Sequence, residues 1–176
     1  MKLTTKQILE ENLAREAPKA LQSLKILVHN IRSLHNVGAI FRSADAFGIS
    51  EVILSGHSPT PPRPEINKTA IGAEEFMDWR YEESGLNAIL GLKEEGYHII
   101  GLEQTEESIP LPELEIPSTK KTCIVLGSEV SGIDDELLAE IDIFTAIPQF
   151  GYKHSLNVSV AAGVMLYAVL VKSWKG

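Results

Sequence analysis

Cysteine and long apolar runs are scarce in this 176-residue chain. Its one cysteine, Cys123, excludes an intramolecular disulfide, and because it lies in the apolar run TCIVLG we predict a buried structural thiol rather than a nucleophile. The longest apolar stretch, Val158 to Val171, is shorter than the roughly 20 residues that cross a bilayer. The first residues carry acidic side chains and match neither a signal peptide nor a transit peptide. We therefore expect a cytoplasmic protein without membrane association.

Motifs for several kinds of site are missing as well. The five histidines occur without H-E-x-x-H or cysteine partners, so we predict no metal site. Gly132 is followed by Ile133 and Asp134 instead of Lys and Ser or Thr, which argues against a loop that binds nucleoside triphosphates. No G-x-G-x-x-G occurs, which weakens a dinucleotide interpretation, and Ser155 is not in the G-x-S-x-G context of a hydrolase nucleophile.

The net charge of −8 disfavours binding to nucleic acid, because affinity for phosphates comes largely from Lys and Arg. The distribution of charge points the other way. Basic side chains lie in or near the loops that carry the motifs described below: Arg32, Arg42, Arg63, Lys68, Lys153 and His154. Charge alone leaves two interpretations open, a basic binding surface and solvated charges without a binding role.

The composition and the order of elements predict one packed α/β domain. Hydrophobic residues make up 44% and charged residues 23% of the chain, as in ordinary globular proteins. Apolar runs typical of strands alternate with segments of helical periodicity, which predicts a mostly parallel sheet with helices on both faces. Ligands of such sheets bind at the carboxyl ends of the strands. The predicted strands are 25–31, 51–54, 97–102, 122–126 and 144–147, and the predicted helices are 36–47, 86–95, 134–141 and 155–174.

Two further segments have clear local signals. Apolar residues repeat at helical spacing over residues 5 to 23, which Pro18 interrupts, so we predict one kinked helix or two short ones. Residues 57 to 67, HSPTPPRPEIN, contain four prolines, and we predict an ordered loop without regular helix.

Three segments stand out as candidate parts of a site. The first is NVGAIFR, residues 36 to 42, which follows the first strand. Gly38 in the first turn of a helix is costly relative to alanine and indicates close approach of another backbone or a ligand. Asn36 is either a helix cap or a site residue, and Arg42 is either a surface residue or one that extends back toward the start of the helix.

The second segment is LGSEVSG, residues 126 to 132, after an apolar strand. Its glycines, Gly127 and Gly132, allow backbone N–H groups to approach a ligand closely. Glu129 is either a ligand for a hydroxyl or amine or a cap for the next helix.

The third segment is IPQFGYKHSLN, residues 147 to 157, before the last helix. Ser155 and Asn157 stand at the entry to this helix, where Ser as N-cap is the ordinary structural explanation. Small residues, Ser159 and Ala161 to Gly163, predict tight packing of the helix against another backbone.

Together and in this order, the three segments resemble the motifs of the SpoU (TrmH-type) branch of the SPOUT methyltransferases. HNVGAIFRSADAFG (35–48) is similar to the first motif of the family, IVLGSEVSG (124–132) to the second, and the pattern IPxxGxxxSLNVSVA (147–161) to the third. KTAIGA (68–73) resembles another family segment, and the similarity covers roughly residues 25 to 172.

The resemblance implies a SPOUT domain over residues 25 to 176 with a deep C-terminal trefoil knot, preceded by a helical extension over residues 1 to 24. It implies that S-adenosylmethionine, without a metal, binds bent in the knotted loops. The residues implied at the cofactor are Leu102, Gly127, Glu129, Gly132, Ile147, Ser155, Leu156 and Asn157.

The resemblance also implies transfer of the methyl group to a ribose 2′-hydroxyl of tRNA or rRNA, by a homodimer whose active site is shared between subunits. The implied catalytic residues are Arg42, Asn36, Glu129, Ser155 and Asn157, and the candidate RNA contacts are Arg32, Arg42, Lys68, Lys153 and His154. Two alternatives within the same fold stay open: an RNA-binding protein without catalysis and an enzyme that methylates a base. A generic nucleotide-binding protein is a third alternative.

Overall fold

The computed structural model describes residues 1–117 and 120–174, which form a parallel sheet covered on both faces. Seven strands are present in this part of the chain, in the order β3-β2-β1-β6-β4-β7-β5, and every pair is parallel. The strands are β1 (Leu24–His29), β2 (Glu51–Ser55), β3 (Trp79–Glu82), β4 (His98–Leu102), β5 (Ile109–Pro110), β6 (Thr122–Leu126) and β7 (Ile143–Ala146). The predicted α/β class with a parallel sheet is confirmed.

Side-chain alternation along the central strands divides the core into two layers. Ile26 and Val28 of β1 pack on one face, whereas Leu27 packs on the other. The first face is covered by α2, α3, α4 and α7, and the second by α5 and α6. The helices are α1 (Thr5–Ala14), α2 (Lys19–Gln22), α3 (Leu34–Phe47), α4 (Pro64–Ala70), α5 (Gly85–Glu94), α6 (Asp135–Leu138) and α7 (Val158–Ser173).

The N-terminal segment forms two short helices, as one of the two predicted alternatives. Thr4 and Gln7 make a capping box at the start of α1, yet α1 has no buried residue, and its apolar Leu9 and Leu13 are exposed. Leu21 of α2, in contrast, is part of the core. The predicted domain boundary at residue 24 stays a prediction.

The capping residues place the first residues of α3 and α7 at other positions than predicted. Ser33, not Asn36, caps α3, because its hydroxyl accepts from the N–H of Asn36. The last helix was predicted from Ser155, but α7 begins at Val158, because the side-chain oxygen of Asn157 accepts from the N–H groups of Ser159 and Val160. The expected N-cap role of Ser155 is therefore wrong.

The proline-rich segment was predicted to lack helix, and this is wrong for its last residues. Pro64 is the first residue of α4, where its fixed φ suits a helix and its missing N–H costs nothing. The backbone of α4 then crosses α3 closely, since a Cβ on Gly38 would meet the carbonyl oxygen of Ile66. This contact is the physical reason for glycine at position 38.

Among the described residues, none of the helices is long and apolar enough to cross a bilayer.

Candidate active site

A cavity of about 570 Å³ lies at the carboxyl edge of the sheet, beyond the ends of β4, β6 and β7. Its walls come from the residues after β4, the loop after β6, the segment after β7 and the first turn of α7. Parallel strands leave a crevice at this edge because their following loops diverge to helices on opposite faces. The cavity size is typical of a small-molecule site.

All eight residues predicted at a cofactor line this cavity. The predicted catalytic residues Glu129, Ser155 and Asn157 are among them, and so is His154, which was predicted as an RNA contact. The remaining predicted residues do not line it: Asn36, Arg42, Arg32, Lys68 and Lys153.

A hydrogen-bond chain joins the three motif segments beside the cavity. Asn157 Nδ2 donates to Asn36 Oδ1 at 3.1 Å, and Asn36 Nδ2 donates to Glu129 Oε1 at 2.9 Å. The direction of this chain is set at its α7 end. Because Asn157 Oδ1 accepts from backbone N–H groups of α7, the Nδ2 of Asn157 is the group that donates to Asn36 Oδ1. The Nδ2 of Asn36 then donates to Glu129. The chain therefore needs an acceptor at its far end, which the Glu129 carboxylate supplies.

Glu129 also binds the start of α3. Its two carboxylate oxygens accept from the backbone N–H of Arg32 at 3.1 Å and of Ser33 at 3.2 Å. Helix α3 has no acidic residue in its own first turn, so Glu129 brings a negative charge to the positive end of this helix from the loop after β6. Of the two roles left open for Glu129, the structure favours capping, although of α3 rather than of the following helix.

Partial burial raises the pKa of Glu129, but the hydrogen bonds from Asn36, Arg32 and Ser33 outweigh it and hold the pKa below the ordinary glutamate value. Glu129 is accordingly ionised at neutral pH and stays an acceptor.

The glycines of the second segment are required by contacts within the chain. A Cβ on Gly127 would meet the backbone of Gly132 and Ile133, where the loop closes on itself through a bridge between Ser128 and Gly132. Gly132 has φ +73°, and a Cβ there would meet the carboxylate of Glu103. The tight loop places Gly127 and Gly132 together in the cavity wall.

Glu103 and Gln104 also line the cavity and were not predicted. The Glu103 carboxylate accepts from the N–H of Ile133 at 3.0 Å. This bond holds the loop of residues 127–132, which we call the glycine loop. Gln104 Nε2 donates to the carbonyl of His154 at 2.7 Å and holds the segment before α7. Both residues directly follow β4, so the rule that sites form at the carboxyl ends of parallel strands could have identified them.

A polar cluster below the glycine loop resembles a catalytic triad in composition only. His29 Nδ1 lies 2.8 Å from Ser55 Oγ, and His29 Nε2 lies 3.0 Å from Asp134 Oδ2. Ser55 is completely buried, so no substrate reaches its hydroxyl. The cluster instead fastens the end of the loop, at Asp134, to strands β1 and β2.

Arg42 is exposed on α3, outside the cavity wall. It lies six residues after Asn36, which corresponds to about 9 Å along the helix axis and about 120° around it. Among the described residues, no side-chain hydrogen bond or ion pair joins Arg42 to the cavity wall, and its catalytic role stays a prediction.

Cys123 is fully buried in β6, as predicted. Burial raises the pKa of this thiol to about 12, so it is not a nucleophile at neutral pH.

Comparison with known proteins identifies relatives that are RNA 2′-O-methyltransferases. The family model described as SpoU rRNA Methylase matches residues 23–167. The chain is 34% identical over 159 residues to the tRNA (guanosine(18)-2′-O)-methyltransferase of Thermus thermophilus, a match that covers 90% of this chain and 78% of that enzyme. It is also 34% identical to a 23S rRNA (guanosine-2′-O-)-methyltransferase of Coxiella burnetii, over 88% of this chain and 59% of that enzyme.

Solved structures agree in fold. A tRNA modifying enzyme of Aquifex aeolicus, described as TrmH/SpoU, superimposes with a TM-score of 0.77 at 27% identity, covering 94% of this chain and 84% of that one. An AdoMet-bound rRNA methyltransferase of Sinorhizobium meliloti superimposes with a TM-score of 0.79 at 24% identity, covering 88% of this chain and 60% of that one.

Proposed function

The chain belongs to the SpoU rRNA methylase family, and from this membership we propose that it transfers a methyl group from S-adenosylmethionine to a ribose 2′-hydroxyl of tRNA or rRNA. The observation that carries the proposal is the hydrogen-bond chain Asn157–Asn36–Glu129, which joins all three family motifs at one cavity. The names of the Thermus and Coxiella enzymes support ribose methylation and the two classes of RNA.

The cavity fits a cationic methyl donor better than a nucleotide phosphate. Its lining among the described residues contains the carboxylates of Glu103 and Glu129 and neither Lys nor Arg. A sulfonium cation is attracted by these carboxylates, whereas the phosphates of ATP or NAD are repelled. Apolar side chains such as Leu126 and Ile147 offer contact to an adenine ring. This distribution of charge argues against the generic nucleotide-binding alternative.

S-adenosylmethionine supplies an activated methyl group when bound. By the family resemblance, the main chain at Leu102, Gly127, Ile147 and Leu156 holds the adenosine. In this structure Glu103 and Gln104 fix the segments that carry these contacts, since they bind the glycine loop and the loop before α7. The chain thus contributes orientation, which accounts for much of the rate of an in-line displacement.

Arg42 is the residue proposed to act on the ribose hydroxyl. Arginine is always protonated in proteins and is a poor general base. We therefore assign it the stabilisation of the developing alkoxide and of the neighbouring phosphate, with a substrate oxygen accepting the proton. Asn36, Glu129, Ser155 and Asn157 shape the site around this reaction.

A homodimer with shared sites accounts for the position of Arg42 outside the cavity wall of its own chain. An exposed apolar stripe on α7 supports such an assembly. Its members recur at spacings of four and three residues, and they are Val160, Val164, Tyr167 and Val171. One of the small residues that were predicted to pack against another backbone, Ala162, is buried in the core of its own chain. The valine and tyrosine stripe is then the surface available to a second copy.

The deep trefoil knot, the division at residue 24 and a cytoplasmic location belong to the same proposal. The bond from Gln104 to the His154 carbonyl supports the knot, because it ties the segment before α7 to the loop after β4. RNA as substrate supports the cytoplasm.

The test of the function combines RNA mapping with a variant. We expect mass spectrometry to find a 2′-O-methylated site that is lost from the RNA of cells without this protein, and nuclease digestion to leave the resistant methylated dinucleotide that base methylation does not. Arg42→Ala is expected to abolish transfer while calorimetry finds unchanged affinity for S-adenosylmethionine. Full activity of this variant contradicts the catalytic assignment, and binding of RNA without any transfer by the unmodified protein favours the non-catalytic alternative.

Complementation tests the shared site. Arg42→Ala and Asn157→Ala chains, each inactive alone, are mixed after unfolding and refolding. If each site takes Arg42 from one copy and Asn157 from the other, the mixture recovers about a quarter of the normal activity, since half of the dimers are mixed and each has one intact site. No recovery contradicts sharing.

A further inference from the structure

The loop between β7 and α7 exposes two aromatic rings. We call residues Phe150–His154 the aromatic loop. Phe150 is 99% and Tyr152 is 108% exposed, so both rings are fully open to solvent in the single chain. Fully exposed large apolar side chains in neighbouring positions indicate a binding surface more strongly than scattered single ones.

The aromatic loop lies at the mouth of the cavity. Gln149, directly before it, and His154, its last residue, both line the cavity wall. Gln104 fixes the end of the loop through its bond to the His154 carbonyl. Phe150 and Tyr152 therefore lie in the chain between two residues of the cavity wall, next to the site predicted to transfer the methyl group.

The charge of the aromatic loop fits RNA. Lys153 follows the two rings in a chain whose net charge is −8, so the loop carries a positive charge beside apolar rings. Aromatic side chains that alternate with cations are the usual elements of single-strand recognition, in which bases stack on rings and phosphates contact cations. A purely apolar protein contact does not require the adjacent cation of Lys153.

We propose that Phe150 and Tyr152 are stacking platforms for unpaired bases of the RNA next to the methylated nucleotide. The inference rests on the proposed function and extends it to recognition: the substrate is taken as a single-stranded or loop segment. Stacking also supplies affinity that an acidic chain obtains only in part from phosphates.

The experiment uses the full chain and a short single-stranded oligoribonucleotide with one 2-aminopurine, whose fluorescence falls on stacking. We expect quenching by the unmodified protein and its loss in Phe150→Ala/Tyr152→Ala, with RNA affinity about 5- to 150-fold weaker for each ring removed. Phe150→Tyr and Tyr152→Phe, which keep a ring, are expected to retain the quenching. Affinity for S-adenosylmethionine is expected to be unchanged.

Two controls separate stacking from other effects. Phe76 is 82% exposed just before β3, at the opposite edge of the sheet, and Phe76→Ala is expected to bind RNA normally. Lys153→Ala is expected to reduce the slope of log affinity against log salt by about 0.7, whereas the ring variants leave that slope unchanged.

The outcomes are distinct. No quenching by the unmodified protein, or normal quenching by the double alanine variant, overturns the proposal. Loss of the dimer in sedimentation of the double alanine variant also overturns it, because the rings are then a protein interface. Ring-dependent quenching without methyl transfer to any cellular RNA contradicts the proposed function and leaves the stacking inference standing.

Discussion

Replacing Glu129 with glutamine tests the hydrogen-bond chain that unites the site. The carboxylate accepts from Asn36 Nδ2 and from the N–H groups of Arg32 and Ser33. A glutamine amide has one oxygen, so its NH₂ group must face at least one of these donors. Hydrogen bonds to a charged group contribute about 1.5–3 kcal/mol each, and a charge at a helix N-terminus about 0.3–1 kcal/mol. Because Glu129 is exposed, solvent screening reduces the total, and we expect a loss of about 1–2 kcal/mol.

Thermal unfolding measures this loss. In a domain of this size, 1 kcal/mol corresponds to about 2–4 °C, so the melting temperature of Glu129→Gln is expected to fall by about 2–8 °C at neutral pH. The pKa of Glu129 is lowered in the folded state, so its stabilisation is present above the ordinary value of 4.5 and is lost as the pH falls through the lower folded value. The gap between the two proteins should therefore close in acid.

Glu107→Gln is the matched control, since Glu107 is an exposed glutamate outside the cavity wall. Removal of this charge is expected to change stability by at most about 0.5 kcal/mol. Equal melting of Glu129→Gln and the unmodified protein at neutral pH, or a gap that persists in acid, would refute the reasoning.

Three further predictions follow from single contacts. Gly127→Ala is expected to lower the free energy of unfolding by about 1–3 kcal/mol in denaturant and to weaken cofactor binding, because the new Cβ meets the backbone of Gly132 and Ile133. Gly91→Ala is the control: nothing lies near a Cβ at this position on α5, and the free energy of unfolding is expected to rise by about 0.5–1 kcal/mol. Equal effects of the two substitutions would contradict this account. Gln104→Leu removes the bond to the His154 carbonyl and is expected to raise the KM for S-adenosylmethionine more than it lowers kcat, whereas an unchanged KM would show that the loop is held by other contacts. Cys123 is expected to react with thiol reagents at pH 8 only after unfolding, and rapid labelling of the native protein would contradict its burial.

Most of the fold could be predicted because its central strands are strongly apolar. The predicted limits of β1, β2, β4, β6 and β7 differ from the observed ones by two residues at most. β1 ends early because Asn30 turns the chain at φ +54°. β3 was not predicted, since Trp79–Glu82 is short, half-buried and carries two charged residues. Such edge strands have no clear alternation and depend on pairing with β2.

The position of the cavity could be predicted from the three motif segments, whereas the interactions around it could not. All eight residues that the family resemblance implies at the cofactor line this cavity, and their contact with a cofactor stays a prediction. The partner of Glu129 at the start of α3 lies almost a hundred residues away in the chain, and the pairing of β1 with β6 brings the two segments together. The position of Arg42 depends on its rotation around α3, which places it outside the cavity wall and which local patterns do not specify.

The strand order has a consequence for how the protein is made. Strands β1, β2 and β3 are neighbours in sequence and in space, so the first half of the sheet can form from local contacts during synthesis. The pairing of β1 with β6 must wait for residue 126, and the wall of the cavity is complete only when the first turn of α7 has been made. Contacts of such long sequence separation slow folding. If the methyl donor binds in this cavity, as proposed above, it can therefore stabilise only chains that already include the first turn of α7.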